Sequence, residues 1–209
     1  MKIIFISDTH GLHNELALPK GDMIIHGGDI TDYGTKEETV DFLKWYSSLN
    51  YSYKIFIAGN HDMYLEENPV DFLELLPPDV IYLRNNSVEI EGIKIWGSPV
   101  TPDFMDWAFG KRREEMKEHW KYMPKEIDIL LTHTPLKGIL DTSSDWQSLG
   151  CKDLLAKVKE IKPKYHLFGH VHASYGQEKI KETEFINGSN LDSYKGLINP
   201  PIIINWKLQ

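Results

Sequence analysis

Five short polar motifs, each directly behind an apolar run, carry the side chains of this chain that could do chemistry. The apolar runs cover residues 3–6, 23–25, 55–58, 129–131 and 165–168. The motifs that follow them are Asp8-Thr9-His10, Gly27-Gly28-Asp29, Gly59-Asn60-His61-Asp62, Thr132-His133 and Gly169-His170-Val171-His172. Short apolar runs predict buried strands, and in α/β sheets the residues beyond the carboxyl ends of strands meet at one edge. The sequence therefore predicts one clustered site.

The donor atoms of these motifs favour divalent transition metals. Carboxylate, amide and imidazole groups without a thiolate suit manganese, iron, zinc, cobalt or nickel better than a structural zinc site. The motifs also hold more ligands than one ion needs. Two ions that share a bridging carboxylate would use them all, and such pairs, about 3.5–4 Å apart, promote in-line displacement at phosphorus.

The order of the motifs resembles that of a known family. D-x-H, G-G-D, G-N-H-D, T-H and G-H-x-H follow one another between residues 3 and 172, as in the calcineurin-like metallophosphoesterase superfamily. Smaller blocks, from Trp96-Gly97-Ser98-Pro99 to Asn199-Pro200-Pro201-Ile202, are similar to the metallophosphodiesterase-domain subfamily related to the mammalian fetal-brain protein 239. The resemblance implies an α/β fold (α+β in some schemes) of the metallo-dependent phosphatase type. Its architecture is a four-layer α-β-β-α sandwich of two mixed sheets flanked by helices.

The resemblance also implies a role for each motif residue. One divalent ion is expected to be held by Asp8, His10, Asp29 and His172, and a second by Asp29, Asn60, His133 and His170. Manganese is the ion expected to support activity. His61 is expected beside the metals, where it protonates the leaving group or stabilises the phosphoryl group. Asp62 is expected to orient His61, and a solvated loop aspartate is the alternative.

The bulk composition limits the number of domains, the compartment and the partners. A chain of 209 residues with 41% hydrophobic residues predicts a single domain over residues 1–209. The net charge of −8 argues against a non-specific nucleic-acid or anionic-membrane binder. Cys151 is the sole cysteine, which favours a reducing cytoplasm. No apolar run approaches the ~20 residues of a membrane span, and a first strand beginning at Lys2 leaves no room for a signal peptide.

Apolar periodicity predicts strand–helix alternation early in the chain and hairpins later. The predicted strands are 2–7, 22–26, 53–58, 80–83, 87–91, 93–97, 127–132, 165–168, two within 175–187, and 202–208, and the predicted helices are 36–49, 70–76, 110–121 and 151–161. Thr35 and Glu38 are spaced as a capping box for the first helix, and Glu91-Gly92 predicts a tight hairpin.

Several residues near the motifs have two possible roles. His13 is better explained as a surface histidine than as a substrate contact, and His26 as a hydrogen-bonded core group. The aromatic segment 99–109 is more often a buried loop than a cleft wall, although Phe104 and Trp107 are candidates to stack on a substrate ring. The segment 143–149 has the same two possible roles, a buried loop or a cleft wall. The charged run 111–118 predicts a solvated helix face.

The leading interpretation is a metal-dependent phosphodiesterase that hydrolyses small phosphodiesters such as cyclic nucleotides. A hydroxide between two ions would be the nucleophile and His61 the general acid. A phosphomonoesterase or a nuclease on the same site is the alternative, and the acidic composition disfavours a nucleic-acid polymer as partner. A non-catalytic metal-binding scaffold would be expected to have lost a ligand or His61, and all are present. The expected partner is therefore a small phosphate ester, without membrane association.

Overall fold

The computed structural model describes residues 1–103 and 105–207 and contains two large β-sheets. The strands of the first sheet are β1 (Lys2–Ile6), β2 (Met23–His26), β3 (Tyr53–Phe56), β4 (Val80–Tyr82) and β13 (Ile202–Asn205). They lie in the order β13-β1-β2-β3-β4. β1 to β4 run parallel and β13 is antiparallel to β1, so β1, β2 and β3 all end at the same edge.

The second sheet has six strands in the order β11-β12-β10-β9-β6-β5. They are β5 (Asn86–Ile90), β6 (Ile93–Ser98), β9 (Ile129–Thr132), β10 (Tyr165–Phe168), β11 (Gly176–Ile180) and β12 (Thr183–Asn187). β6, β9, β10 and β12 are parallel, and antiparallel hairpins add the two edge strands. The predicted hairpin turn is confirmed: Glu91 and Gly92 both have positive φ, at 50° and 76°, as a type I′ turn requires.

Helices cover the outer face of each sheet. α1 (Lys36–Ser48), α2 (Met63–Glu67) and α3 (Pro69–Leu75) pack on the first sheet, and α4 (Met116–Lys121) and α5 (Lys152–Ile161) pack on the second. In β1, Ile3 and Phe5 face the second sheet, whereas Ile4 and Ile6 face the helices. Strands buried on both faces explain the continuous apolar runs. The predicted four-layer α-β-β-α architecture is confirmed.

The ends of the helices follow local sequence signals, with two departures from prediction. Thr35 and Glu38 form the predicted capping box of α1. The predicted helix over 110–121 is wrong in its first half, because β7 (Thr101–Pro102) pairs with β8 (Gly110–Lys111) and α4 begins only at Met116. α2 was not predicted. In the part of the chain that the structure describes, no helix is long and apolar enough to cross a membrane.

Candidate metal centre and active-site cleft

All seven expected metal ligands lie at the carboxyl ends of parallel strands. Asp8 and His10 follow β1, Asp29 follows β2, Asn60 follows β3, His133 follows β9, and His170 and His172 follow β10. Four of them have a left-handed backbone: φ is 53° at Asp8, 42° at His10, 54° at Asp29 and 69° at His170. A residue other than glycine rarely adopts this conformation, and such strain concentrates at functional sites.

The first group of ligands consists of Asp8, His10 and His172, whose donor atoms all lie within 4.8 Å of one another. Nε2 of His172 is 3.5 Å from Oδ1 of Asp8 and 3.3 Å from Nε2 of His10. Asp8 is fully buried and also accepts hydrogen bonds from the backbone N–H of His170 and the hydroxyl of Ser189. Its carboxylate, which follows a strand of the first sheet, is therefore held by residues that follow β10 and β12 of the second.

The second group consists of Asp29, His133 and His170, again within 4.8 Å. The amide of Asn60 joins them, because its Oδ1 lies 3.0 Å from Nε2 of His133 and 2.7 Å from Nδ1 of His170. Oδ2 of Asp29 is 3.3 Å from Nε2 of His133 and 3.6 Å from Nε2 of His10. This one oxygen consequently lies between the two groups.

The tautomers of two histidines show that the site fits metal ions. Nδ1–H of His133 donates to the carbonyl of Gly27 at 2.9 Å, and Nδ1–H of His172 donates to that of Asp192 at 3.0 Å. In the neutral rings, Nε2 then directs a lone pair toward carboxylate or amide oxygens. Acceptors that face one another at these distances require a cation between them, either a proton or a metal ion. The oxygen and imidazole donors suit a divalent transition metal.

The pKa values of the buried groups reflect the same demand for positive charge. Burial lowers the pKa of His133, but the Asp29 carboxylate outweighs burial and raises it to about 9. Burial raises the pKa of Asp29, yet His133 and His10 hold it well below its ordinary value. Burial lowers the pKa of His170 to about 4. The carboxylate is therefore ionised and His170 neutral at pH 7, which are the forms that bind metals.

His61 lies beside both groups. Its backbone N–H donates to Oδ1 of Asp29 at 2.8 Å, and Nδ1 of its ring donates to the carbonyl of Asp32 at 2.8 Å. The ring meets His10 edge-on, with centroids 4.5 Å apart, and meets Trp107 in the same way at 4.1 Å. The His61 ring thus lies between His10 and Trp107.

A cleft of about 350 Å³ opens above the two groups. Its floor includes Asn60, His61 and His170, and its walls come from the segments 99–109 and 143–149. Residues of both segments therefore line the cleft, and 99–109 is at the same time buried over 99–102 and 108–109, so it is in part the buried loop and in part the cleft wall. Trp107 contributes directly, whereas Trp146 is 88% exposed. Phe104 lies outside the described residues.

Comparison with known proteins agrees with this geometry. The family model described as calcineurin-like phosphoesterase matches residues 1–174, most of the chain. The chain belongs to the calcineurin-like phosphoesterase family. It is accordingly a metal-dependent hydrolase of phosphoric esters, and the family implies divalent metal ions.

Relatives of this phosphoesterase cover almost the whole chain. Human metallophosphoesterase domain-containing protein 1 is 34% identical over 98% of this chain and 70% of its own length. A UPF0046 protein of Caenorhabditis elegans is 33% identical over 97% of this chain and 74% of its own. The solved structure of TT1561 from Thermus thermophilus superposes with a TM-score of 0.62 over 90% of this chain and 88% of that chain. At 14% identity, that likeness shows the fold alone.

The structure corrects the expectation for Asp62 in this phosphoesterase. The Asp62 carboxylate is fully buried and accepts hydrogen bonds from the N–H of Gly59 at 2.7 Å and from the N–H and hydroxyl of Thr31 at 3.0 and 2.7 Å. The His61 ring is held instead by the carbonyl of Asp32. Asp62 therefore joins the loops after β2 and β3, and neither the orienting role nor the solvated alternative is correct.

Two other histidines illustrate what the sequence left open. His13 is 1% exposed, packs against Phe42, and lies 3.2 Å from the carboxylate of Asp41, so its assignment to the surface is wrong. His26 is the hydrogen-bonded core group that was predicted: its Nδ1 accepts from the N–H of Gly28 and its Nε2 bonds the hydroxyl of Thr9.

Sequence reasoning missed three residues at the site. Arg113 lines the cleft, although the run 111–118 was predicted to be a solvated helix face. Asp32 lies beside His10 and His61, and Asp192 supports His172 through its carbonyl. Asp32 follows Asp29 by three residues, a spacing that could have indicated it. No local signal pointed to Arg113 or Asp192, which reach the site through tertiary contacts.

Proposed function

We propose that this phosphoesterase is a phosphodiesterase with a dinuclear metal centre. The observation that carries the dinuclear centre is Oδ2 of Asp29, which lies 3.6 Å from Nε2 of His10 and 3.3 Å from Nε2 of His133. One carboxylate is thus shared by two groups of ligands, as a bridging ligand must be. We assign one ion to Asp8, His10, Asp29 and His172 and the other to Asp29, Asn60, His133 and His170. Manganese is the ion we propose for activity.

The ions, when bound, supply Lewis acidity and an activated water at neutral pH. The residues of the chain supply orientation and a proton. Because Nδ1–H of His61 donates to the carbonyl of Asp32, Nε2–H of the protonated ring is the group that would give its proton to the leaving-group oxygen, which leaves the neutral ring with its proton on Nδ1. The backbone N–H of the same residue donates to Asp29. The backbone of His61 is therefore tied to the carboxylate that we propose as the bridge, and its ring to the carbonyl of Asp32.

The shape of the cleft supports small phosphodiesters, such as cyclic nucleotides, as substrates. Apolar side chains of Pro102, Trp107 and Leu149 line it. A phosphodiester carries one negative charge and a monoester up to two near neutrality, so the diester loses less hydration in such surroundings. Trp107 contacts His61 and lines the cleft, where its indole could pack against an aromatic leaving group.

The ratio of two specificity constants tests the substrate class. We expect bis-p-nitrophenyl phosphate and 2′,3′-cyclic nucleotides to have a higher kcat/KM than p-nitrophenyl phosphate, with manganese at neutral to mildly alkaline pH. All substrates are measured in one buffer with one metal. A tenfold preference for the monoester, about 1.4 kcal/mol of transition-state discrimination, would contradict the proposal.

Replacement of His61 tests the proton donor. His61→Ala should keep both metal equivalents and lose about 10²- to 10⁴-fold in kcat, the usual contribution of a general acid. The loss should shrink for p-nitrophenol, a good leaving group that needs no proton, relative to alkyl leaving groups. Equal losses for both would assign His61 to phosphate binding instead.

A second candidate, a phosphomonoesterase, is favoured by one observation. Arg113 lines the cleft and its guanidinium can bind two oxygens of a phosphate dianion. If this candidate is correct, Arg113→Met should lower kcat/KM for p-nitrophenyl phosphate far more than for its diester. An equal effect on both esters would leave the phosphodiesterase as the better proposal.

We propose a small phosphate ester as the partner and a reducing cytoplasm as the location. The net charge of −8 supports a small substrate over a nucleic-acid polymer. The single cysteine, Cys151, is 2% exposed and its sulfur accepts the N–H of Leu154 at the start of α5, which supports a thiol that stays reduced.

A further inference from the structure

His10 has a buried ring nitrogen whose hydrogen bond is not accounted for. Its Nε2 faces Asp29 and His172, which leaves the proton on Nδ1 whenever Nε2 acts as a ligand. Nδ1 is buried and makes no hydrogen bond within the described residues. The oxygen aimed at it is Oδ1 of Asp32, 3.5 Å away. A small approach of these two groups would complete a hydrogen bond.

Asp32 contacts both histidines of this part of the site by different atoms. Its side chain, 19% exposed, reaches Nδ1 of His10, and its backbone carbonyl accepts Nδ1–H of His61. The same carboxylate oxygen forms an ion pair with Nζ of Lys195. The side chain of Asp32 is therefore held in place from a distant part of the sequence.

Lys195 belongs to a turn of residues 192–196, beyond the segment that the family model matches. Oδ1 of Asp192 accepts the N–H of Tyr194 at 2.9 Å and that of Gly196 at 2.7 Å. The carbonyl of Asp192 accepts Nδ1–H of His172. This hydrogen-bonded turn therefore supports His172 directly and reaches His10 through Asp32.

We propose that Asp32 is a positioning residue for the metal ligand His10, and that Lys195 anchors Asp32 from the turn 192–196. The inference rests on the proposed dinuclear centre. A carboxylate that accepts the second N–H of a ligating imidazole fixes its tautomer and orientation and raises its basicity. Asp32 acts on the ion through His10, without touching it.

A third metal ion at Asp32 is the competing explanation, because His10, Asp32 and His61 also present donor atoms within 4.8 Å. Two observations favour the hydrogen bond. The ammonium group of Lys195 already compensates the Asp32 carboxylate, and Nδ1 of His61 is engaged by the Asp32 carbonyl.

The test is metal affinity, measured by chelator competition on the full chain. Asp32→Ala should weaken one of two manganese equivalents by about 10- to 100-fold and leave the other unchanged. Asp32→Asn keeps an oxygen acceptor and should weaken it less. Both variants keep the backbone carbonyl that holds His61, so the leaving-group dependence of kcat should not change. Asp71→Ala, which removes an exposed aspartate paired with Lys36, is the matched control and should change neither equivalent.

Lys195→Met tests whether Lys195 anchors Asp32, and a double variant tests whether Lys195 acts on the metal only through Asp32. Lys195→Met should weaken the same equivalent less than Asp32→Ala does, and adding it to Asp32→Ala should cause no further loss. Additive losses, or a larger loss for Lys195→Met, would overturn the anchoring role. The binding of three equivalents by the wild type, with one lost in Asp32→Ala, would overturn the hydrogen-bond role in favour of a third ion.

His172→Ala separates failure of this inference from failure of the proposed function. If His172→Ala weakens one equivalent and neither Asp32 variant weakens any, the dinuclear centre stands and the positioning role is overturned. If His172→Ala also leaves two equivalents unchanged, the assignment of the first ion is wrong, and the inference falls with it. Thermal unfolding of each variant confirms that the compared proteins are folded.

Discussion

Gly59 provides a sharp test of how the candidate site is built. It precedes Asn60, and its backbone is not in the left-handed region, so alanine meets no conformational obstacle there. A Cβ at this position would lie 2.2 Å from Oδ1 of Asp29 and 2.6 Å from Cε1 of His133. Gly59→Ala therefore presses one methyl group against the carboxylate that we propose as the bridge and against His133 of the second group.

The size of the displacement sets the expected loss. Real Cβ atoms essentially never approach other atoms within 3.0 Å, so the Asp29 oxygen must move by about 0.8 Å or the loop must yield. A misplacement of about 1 Å at reacting groups costs about 10²-fold in rate, which corresponds to about 2.7 kcal/mol. We expect kcat/KM to fall by about 100-fold, manganese affinity to fall with it, and stability to drop by about 1–3 kcal/mol from overpacking.

The assay combines phosphodiester hydrolysis, metal titration and thermal unfolding. Gly138→Ala is the control: Gly138 has a φ of +84°, and no atom lies within 4 Å of the position that a methyl group would take there, so alanine costs about 1–2 kcal/mol of backbone strain without touching the site. That variant should lose stability and keep activity and metals. A Gly59→Ala protein that binds two equivalents normally, with kcat/KM within about threefold of wild type, would refute the reasoning.

Two further predictions concern the ligands and pH. Asp29→Ala should weaken both metal equivalents because it removes a ligand from each, whereas His172→Ala should weaken mainly one; two tight equivalents in Asp29→Ala, by elemental analysis, would disprove bridging. Burial lowers the pKa of His166 to about 3. Below pH 6.5 the unfolded chain therefore binds a proton at this residue that the folded protein does not bind, and the free energy of unfolding decreases as pH falls. His166→Gln should reduce the decrease in the free energy of unfolding by about 1.4 kcal/mol per pH unit between pH 6 and 4. If denaturant titrations give the same dependence of this free energy on pH for the variant and the wild type, His166 does not contribute.

The strand-end positions of the candidate ligands could be predicted because their signals are local. An apolar run followed by Asp, Asn or His specifies both the strand and the residue at its end, as at Asp8 and Asp29. The role of Asp62 could not be predicted in this way. Its partners, Thr31 and Gly59, come from two different loops, and their proximity depends on the pairing of β2 with β3.

The parts of the fold that could not be predicted from the sequence have the same origin. The segment 110–121 has a helical composition, yet its first residues pair with Thr101–Pro102 across a loop. That contact keeps the chain extended at Gly110–Lys111, so that α4 begins only at Met116 and Arg113 lies at the cleft. Helix propensity summed over a short stretch of sequence does not include a tertiary contact that overrides it. The buried environment of His13, created by α1, escaped prediction for the same reason.

The division of the candidate ligands between two sheets has a consequence for biogenesis. Asp8 and Asp29 follow strands of the first sheet, whereas His133, His170 and His172 follow strands of the second. During synthesis the early residues leave the ribosome long before the later ones, so a nascent chain displays only part of the donor set. Neither group of candidate ligands is complete until the second sheet has docked. A complete set of donors for metal therefore exists only after both sheets have folded against each other.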